Sequence, residues 1–227
     1  MRDEDGPVRQ VKVWDPWIRL VHWSVVILIG VSYASVQSGA MRLHYWSGYA
    51  VLTLVLFRIA WGLVGSDTAR FARFLRSPLA ALRHLAAFSR PEPDREIGHN
   101  AAGGWFVLVL LGLLLAQATT GLFAAEEAGF DYAPHGPLAP HVAARVSERL
   151  TGLHHGIFNW LLAAATLHVL AVAAYALLKG HDLVRPMLTG RKPLPGDARA
   201  PRLGSPLLAA ALLAAAALAV TLIGAAG

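Results

Sequence analysis

The 227-residue chain contains no cysteine. That excludes disulfides, thiolate metal sites, iron–sulfur ligation by this chain and covalent haem attachment through C-x-x-C-H. Charge is the second scarcity. Asp, Glu, Lys and Arg make up 15% of the residues and hydrophobic types 56%, a balance foreign to soluble domains and usual for multi-spanning membrane proteins. Strict polar–apolar alternation is also missing from the apolar stretches, which argues against a transmembrane barrel.

What is present is five continuous apolar runs of spanning length, roughly 20 residues each: 20–36, 44–64, 103–125, 155–178 and 206–226. The predicted fold is all-α, a transmembrane four-helix bundle with an appended fifth C-terminal transmembrane helix. Its parts are an N-terminal segment (1–19), a four-helix core (20–178), a basic linker (179–205) and the accessory helix (206–226). Run one is long for a signal peptide and is followed directly by a span of matching topology, so it reads as retained. Run five, "LLAAALLAAAALAVTLIGAAG", has no charge, histidine or aromatic residue. It suits packing through small residues, onto the bundle or onto another copy.

The net charge of +6 is a topology signal and does not indicate a nucleic-acid partner. Arg2, Arg9, Lys12 and Arg19 precede the first run. The second connection carries Arg70, Arg73, Arg76, Arg83, Arg90 and Arg95, and the fourth carries Lys179, Arg185, Arg191, Lys192, Arg199 and Arg202. The first connection has only Arg42. The third sets Arg145 and Arg149 beside Glu126, Glu127, Asp131 and Glu148. Basic residues on alternate sides place the N-terminus in the cytoplasm and the C-terminus on the opposite face of the membrane. Within the second connection, 66–90, "RFARFLRSPLAALRHLAAF" has the spacing of an amphipathic interfacial helix on an anionic leaflet.

Ten histidines occur, and topology sorts them. His84, His99, His135, His141 and His181 fall in connections, where a solvated or interfacial side chain is the ordinary reading. His22, His44, His154, His155 and His168 fall in or beside the spans, where ionisable groups are costly and are functional candidates by default. His44 and His154 belong toward the outer face, and His22 and His168 form an inner pair. His168 lies about 21 Å below His154 by helical rise. Two pairs at two depths suit two non-covalent b haems, each held by two imidazoles.

Helical phase separates the adjacent histidines. Fourteen residues turn a helix by about 1400°, close to whole turns, so His154 and His168 share a face, while His155 is displaced by about 140° from His168. His154 is the ligand candidate and His155 the bystander. Arg58 lies on the same side of span two as His44, and Arg19 one turn before His22. Both suit haem propionates, which arginine matches bidentately; snorkelling to the interface is the competing account. For the histidines, interhelical hydrogen bonding and a proton relay compete. A zinc site would need three or four ligands at one depth.

The motifs "VWDPWIRLVHW", "LHYWSGYAVLTLVLFRIAWGLVG", "GHNAAGG", "QATTGLF", "LHHGIFNWLLAAATLHVLAV" and "LVRPMLTGRKP" resemble the bacterial cytochrome b561 family. That grouping includes the cytochrome b subunits of nickel–iron hydrogenases. The resemblance covers about residues 11–193 and leaves span five outside. It implies a four-helix core with two b haems, ligands at His22, His44, His154 and His168, and the span-two arginine at Arg58. It further implies electron transfer across the inner membrane between a quinone pool, ubiquinone or menaquinone, and a periplasmic c-type cytochrome or hydrogenase-like subunit. Some members are instead superoxide:ubiquinone oxidoreductases that need no protein donor, so whether this chain is an enzyme stays open. Trp61, His99 and Asn100 are candidates beside a quinone. His155 stands where relatives carry an acidic residue.

Overall fold

The computed structural model of the protein describes residues 8–90, 94, 96–125 and 135–225. Arg2, Arg95, Glu126, Glu127, Asp131 and the end of the fifth predicted span at 226 lie outside the described residues. In chain order the elements are β1 (Val8–Lys12), α1 (Pro16–Gln37), α2 (Met41–Val64), α3 (Phe71–Phe74), α4 (Pro78–Ala86), α5 (Ala101–Gly121), α6 (Ala144–Lys179), α7 (Val184–Thr189), β2 (Arg191–Pro195) and α8 (Pro206–Gly224). The five predicted spans are α1, α2, α5, α6 and α8, each long and apolar enough to cross a bilayer. In hydrocarbon the backbone has no water to bond to, so continuous helices are the form such runs take.

Two expectations change. The apolar run at 155–178 is only part of α6, which begins at Ala144, because the polar stretch "ARVSERLTG" is compatible with helix and extends it beyond the apolar region. The inner loop is two short helices where one amphipathic helix was expected. Ser77 ends the continuity: its hydroxyl accepts from Ala80 N at 3.2 Å, and Pro78 occupies the first helical position of α4. Proline cannot donate to a preceding turn, so it starts a helix more readily than it continues one.

The chain divides into two compact units through which the long helices run. The first comprises the described residues through Leu20, Ala60–Val109 and Thr166–Ala209. Here β1 pairs antiparallel with β2, Val8 opposite Pro195 and Lys12 opposite Arg191. Asp15 is buried at the start of α1. One carboxylate oxygen accepts from Ile18 N at 2.9 Å, capping the helix, and the other accepts from the Trp61 indole N–H at 3.0 Å. Capping of this kind satisfies a backbone donor that the helix itself cannot. Thr68 adds a hydrogen bond to Val13 O at 2.7 Å. Gly190 ends α7 at φ +80, where a side chain would collide with Arg19 and with Trp14 O. The linker before α8 is stitched to the chain just after α2: Asp67 N donates to Arg202 O, Arg202 N donates to the Asp67 carboxylate, and Gly204 N donates to Ser66 Oγ.

The second unit comprises Val21–Ile59, Leu110–Ala165 and the described residues from Ala210. Its core joins Leu52 of α2, Leu122 just after α5 and Val220 of α8, with Tyr49, Leu115 and Ile223 around them. The returning loop is held by backbone bonds from Gly136 N to Ala124 O and from Leu138 N to Leu122 O. Ser147 and Thr151 of α6 donate to Phe123 O and Ala125 O.

Candidate functional site

In the second unit His44 and His154 come together, as their predicted depth requires. Their ring centres are 6.1 Å apart and their planes nearly perpendicular, at 87°. Each Nδ1 is tied to its surroundings. His44 Nδ1 lies 3.2 Å from Ser32 O and 3.0 Å from Ser32 Oγ. His154 Nδ1 lies 2.9 Å from Gln117 O. A carbonyl can only accept, so the His154 contact is a donation from Nδ1–H to Gln117 O that leaves Nε2 the acceptor, whereas at His44 the nearer neighbour is the Ser32 hydroxyl, which can donate or accept. The His154 tautomer is the one a metal-ligating histidine adopts when a main-chain carbonyl orients it. His154 Nε2 in turn accepts from the Gln117 amide at 3.1 Å.

Gly121 brings α5 close to this ring. A Cβ placed there would lie 2.9 Å from His154 Cε1, so any side chain would push the imidazole. The two histidines share a cavity of about 390 Å³ with Tyr33, Gln117, Phe158 and Asn159 among its walls. Tyr33 and Phe158 stack there, their centres 5.7 Å apart and their planes 8° from parallel. Gln117 Oε1 is buried in the same wall with no hydrogen-bond partner among the described residues. His155 also borders the cavity but is exposed, whereas His154 is half-buried.

Imidazole nitrogen is a strong iron ligand, so His44 and His154 are the residues that would hold a haem here, with His154 exchanging its Gln117 contact for the metal. A largely apolar, aromatic-walled cavity lies beside them. Among the described residues no three His, Cys, Asp or Glu side chains gather as a metal site, which leaves the zinc alternative without its ligand set.

The remaining candidates are placed separately. His22, half-buried in the second unit, packs its ring edge-on to Trp23 at 4.8 Å. Arg58 of the same unit is buried, with 6% of its surface accessible. His168, in the first unit, stacks on Phe106 with centres 6.3 Å apart and planes 8° from parallel. Arg19, also in the first unit, has its Nε buried without a hydrogen-bond partner among the described residues, and its Nη1 is pressed against Gly190. An orphaned guanidinium nitrogen of this kind suits a carboxylate guest.

Trp61 is fully buried with its indole N–H given to Asp15, so its part is to lock the start of α1. Asn100 caps α5 by accepting from Gly103 N at 2.7 Å and donates to Tyr175 OH at 2.9 Å. His99 packs between Trp14 and Phe74, with ring centres 4.8 and 4.7 Å away. Sequence reasoning did not find Ser32 or Gln117. A glutamine inside the apolar run "LVLLGLLLAQATTG" was the available signal, since an amide at that depth has to find a partner.

A family model described as prokaryotic cytochrome b561 matches residues 13–190. The chain belongs to that family. As a prokaryotic cytochrome b561 it is a multi-pass bacterial membrane protein that binds b-type haem and works in electron transfer. No curated protein and no solved structure matches the chain. The cytochrome b561 match takes in His22, His44, Arg58, His154 and His168 and ends at residue 190, before the linker and α8.

Proposed function

We propose that this cytochrome b561 holds two b haems, one between His44 and His154 and the other between His22 and His168, and conducts electrons across the inner membrane. The reading links a quinone pool, ubiquinone or menaquinone, to a periplasmic redox partner such as a c-type cytochrome or a hydrogenase-like subunit. The N-terminus faces the cytoplasm and the C-terminus the periplasm, following the alternation of basic connections.

The observation that supports the proposal is the His44–His154 pair, with ring centres 6.1 Å apart and each Nδ1 within hydrogen-bond distance of a main-chain carbonyl. Bound haem supplies a one-electron centre there, and the chain sets its ligands and its dielectric surroundings. Main-chain carbonyls hold both imidazoles in one orientation, so little ring movement accompanies a change of charge. Arg58 and Arg19 are the cationic partners for propionates. Arg58 is buried, and a buried cation is retained where an anion or a hydrogen-bond set compensates it.

Reduction of the purified protein by a quinol, followed by oxidation with a periplasmic c-type cytochrome, tests the proposal. Haem reduction and reoxidation on mixing supports it. Failure of quinol to reduce the haem, together with fast reduction by superoxide and onward transfer to ubiquinone, would replace the protein partner with a small anion.

A further inference from the structure

The first unit contains a second cavity, of about 540 Å³, away from the histidine ligands. Its walls include Arg73 and Arg76 from the inner loop and Arg199 and Arg202 from the linker before α8. Among the described residues Asp67 and Glu96 are the only acids in the lining, against the four guanidinium groups. Asp67 is already engaged: its carboxylate lies 3.2 Å from Arg70 and 3.9 Å from Arg73 and accepts from Arg202 N. Among the described residues no acid pairs with the guanidinium groups of Arg76, Arg199 or Arg202. All three side chains are exposed, so an anion entering the recess can reach them.

The cavity's neighbourhood is interfacial. On α4, Leu79, Leu82 and Leu85 form one stripe at helical spacing, and all three are exposed. Trp105, at the start of span α5, donates its indole N–H to Arg76 O at 3.0 Å. An apolar helix face, an interfacial tryptophan and a basic recess together mark the headgroup level of a membrane. In a chain that lies in a bilayer, the anion supplied at that level is a lipid phosphate.

We propose that this recess binds the phosphodiester headgroup of an anionic phospholipid. The site is completed by the linker before α8, whose Arg199 and Arg202 lie beyond the family match at 13–190. The reciprocal bonds between Asp67 and Arg202, with Gly204 N on Ser66 Oγ, hold that linker in place. A lipid in this position ties the inner loop to the linker of α8 through its phosphate. Exposed Leu79, Leu82 and Leu85 meet its acyl chains.

The test uses the full-length holoprotein, delipidated in detergent and titrated with phosphatidylglycerol, phosphatidylcholine or inorganic phosphate, with adducts counted by native mass spectrometry. Phosphatidylglycerol adducts should form in preference to phosphatidylcholine adducts. The Arg76→Gln/Arg199→Gln double variant should weaken them about thirtyfold, from typical contributions of interfacial basic residues. The Arg76→Lys/Arg199→Lys variant should keep most of the affinity, and Arg145→Gln, which removes a charge elsewhere, should leave it unchanged. An unaltered haem spectrum shows that each variant is folded. Equal binding of the two lipids, or undiminished phosphatidylglycerol binding by the double glutamine variant, would overturn the site. Competition by millimolar inorganic phosphate without lipid selectivity would make it a free-anion site and overturn the lipid assignment.

Discussion

The imidazoles of His44 and His154 lie with ring centres 6.1 Å apart and planes nearly perpendicular, and each Nδ1 is within hydrogen-bond distance of a main-chain carbonyl, that of Ser32 or of Gln117. Two helices that are distant in sequence thus bring two oriented imidazoles together. The first prediction follows directly. His154→Ala should lose about half of the bound haem if two bis-histidine centres are present, whereas His155→Ala should keep nearly all of it. Haem-to-protein ratios from alkaline pyridine spectra check this. Haem loss on changing His155, with retention on changing His154, reverses the assignment.

Gly121 and Gly112 give a matched pair on α5. A Cβ at Gly121 would come within 2.9 Å of the His154 ring, while one at Gly112 would meet nothing within 4 Å. Gly121→Ala should therefore displace the imidazole and speed haem release on warming. Gly112→Ala should leave release unchanged. Absorbance in the Soret band during a thermal ramp distinguishes them, and equal behaviour of the two variants would show that close packing at the ring is unimportant.

Much of this was legible in the sequence, because hydrocarbon imposes a simple rule on long apolar runs. The five spans and the depths of His44 and His154 follow from that rule. What escaped is what depends on the partner of a distant segment. The β1–β2 ribbon joins Val8–Lys12 to Arg191–Pro195, two short polar stretches with no pattern that announces their pairing. Ser32 carries no sign in the sequence that it contacts the His44 ring. Ser77-Pro78 marks the break between α3 and α4, but the arginine–apolar spacing runs through it unbroken. Hydropathy marks where a helix enters lipid and says nothing of how far it continues, so residues 144–154 of α6 lie outside the apolar run.

Asp15 makes a prediction about stability. Its carboxylate serves both Ile18 N and the Trp61 indole, and it is buried. Asp15→Leu leaves two buried donors unpaired, a loss of about 2–4 kcal/mol. The temperature of unfolding in detergent should fall by several degrees. Asp15→Asn keeps an acceptor and should fall by less. An unchanged unfolding temperature in Asp15→Leu would show that the pair contributes nothing.

The accessory helix should be dispensable for haem. Val220 packs on Leu52 and Leu122, but in a membrane lipid tails can replace such contacts at little cost. A chain ending at residue 198, after β2, should retain its haem content while becoming less heat-stable through loss of the Asp67–Arg202 and Ser66–Gly204 bonds. Haem content and thermal unfolding of the truncated protein check this. Loss of haem would place α8 inside the functional core.

The most direct test of the central claim is low-temperature electron paramagnetic resonance of the oxidised protein, compared with His44→Ala and His154→Ala. The account predicts low-spin signals from bis-imidazole iron, with the same signal removed by either substitution and the other signal unaltered. Loss of different signals in the two variants, or of none, would contradict a shared iron between His44 and His154.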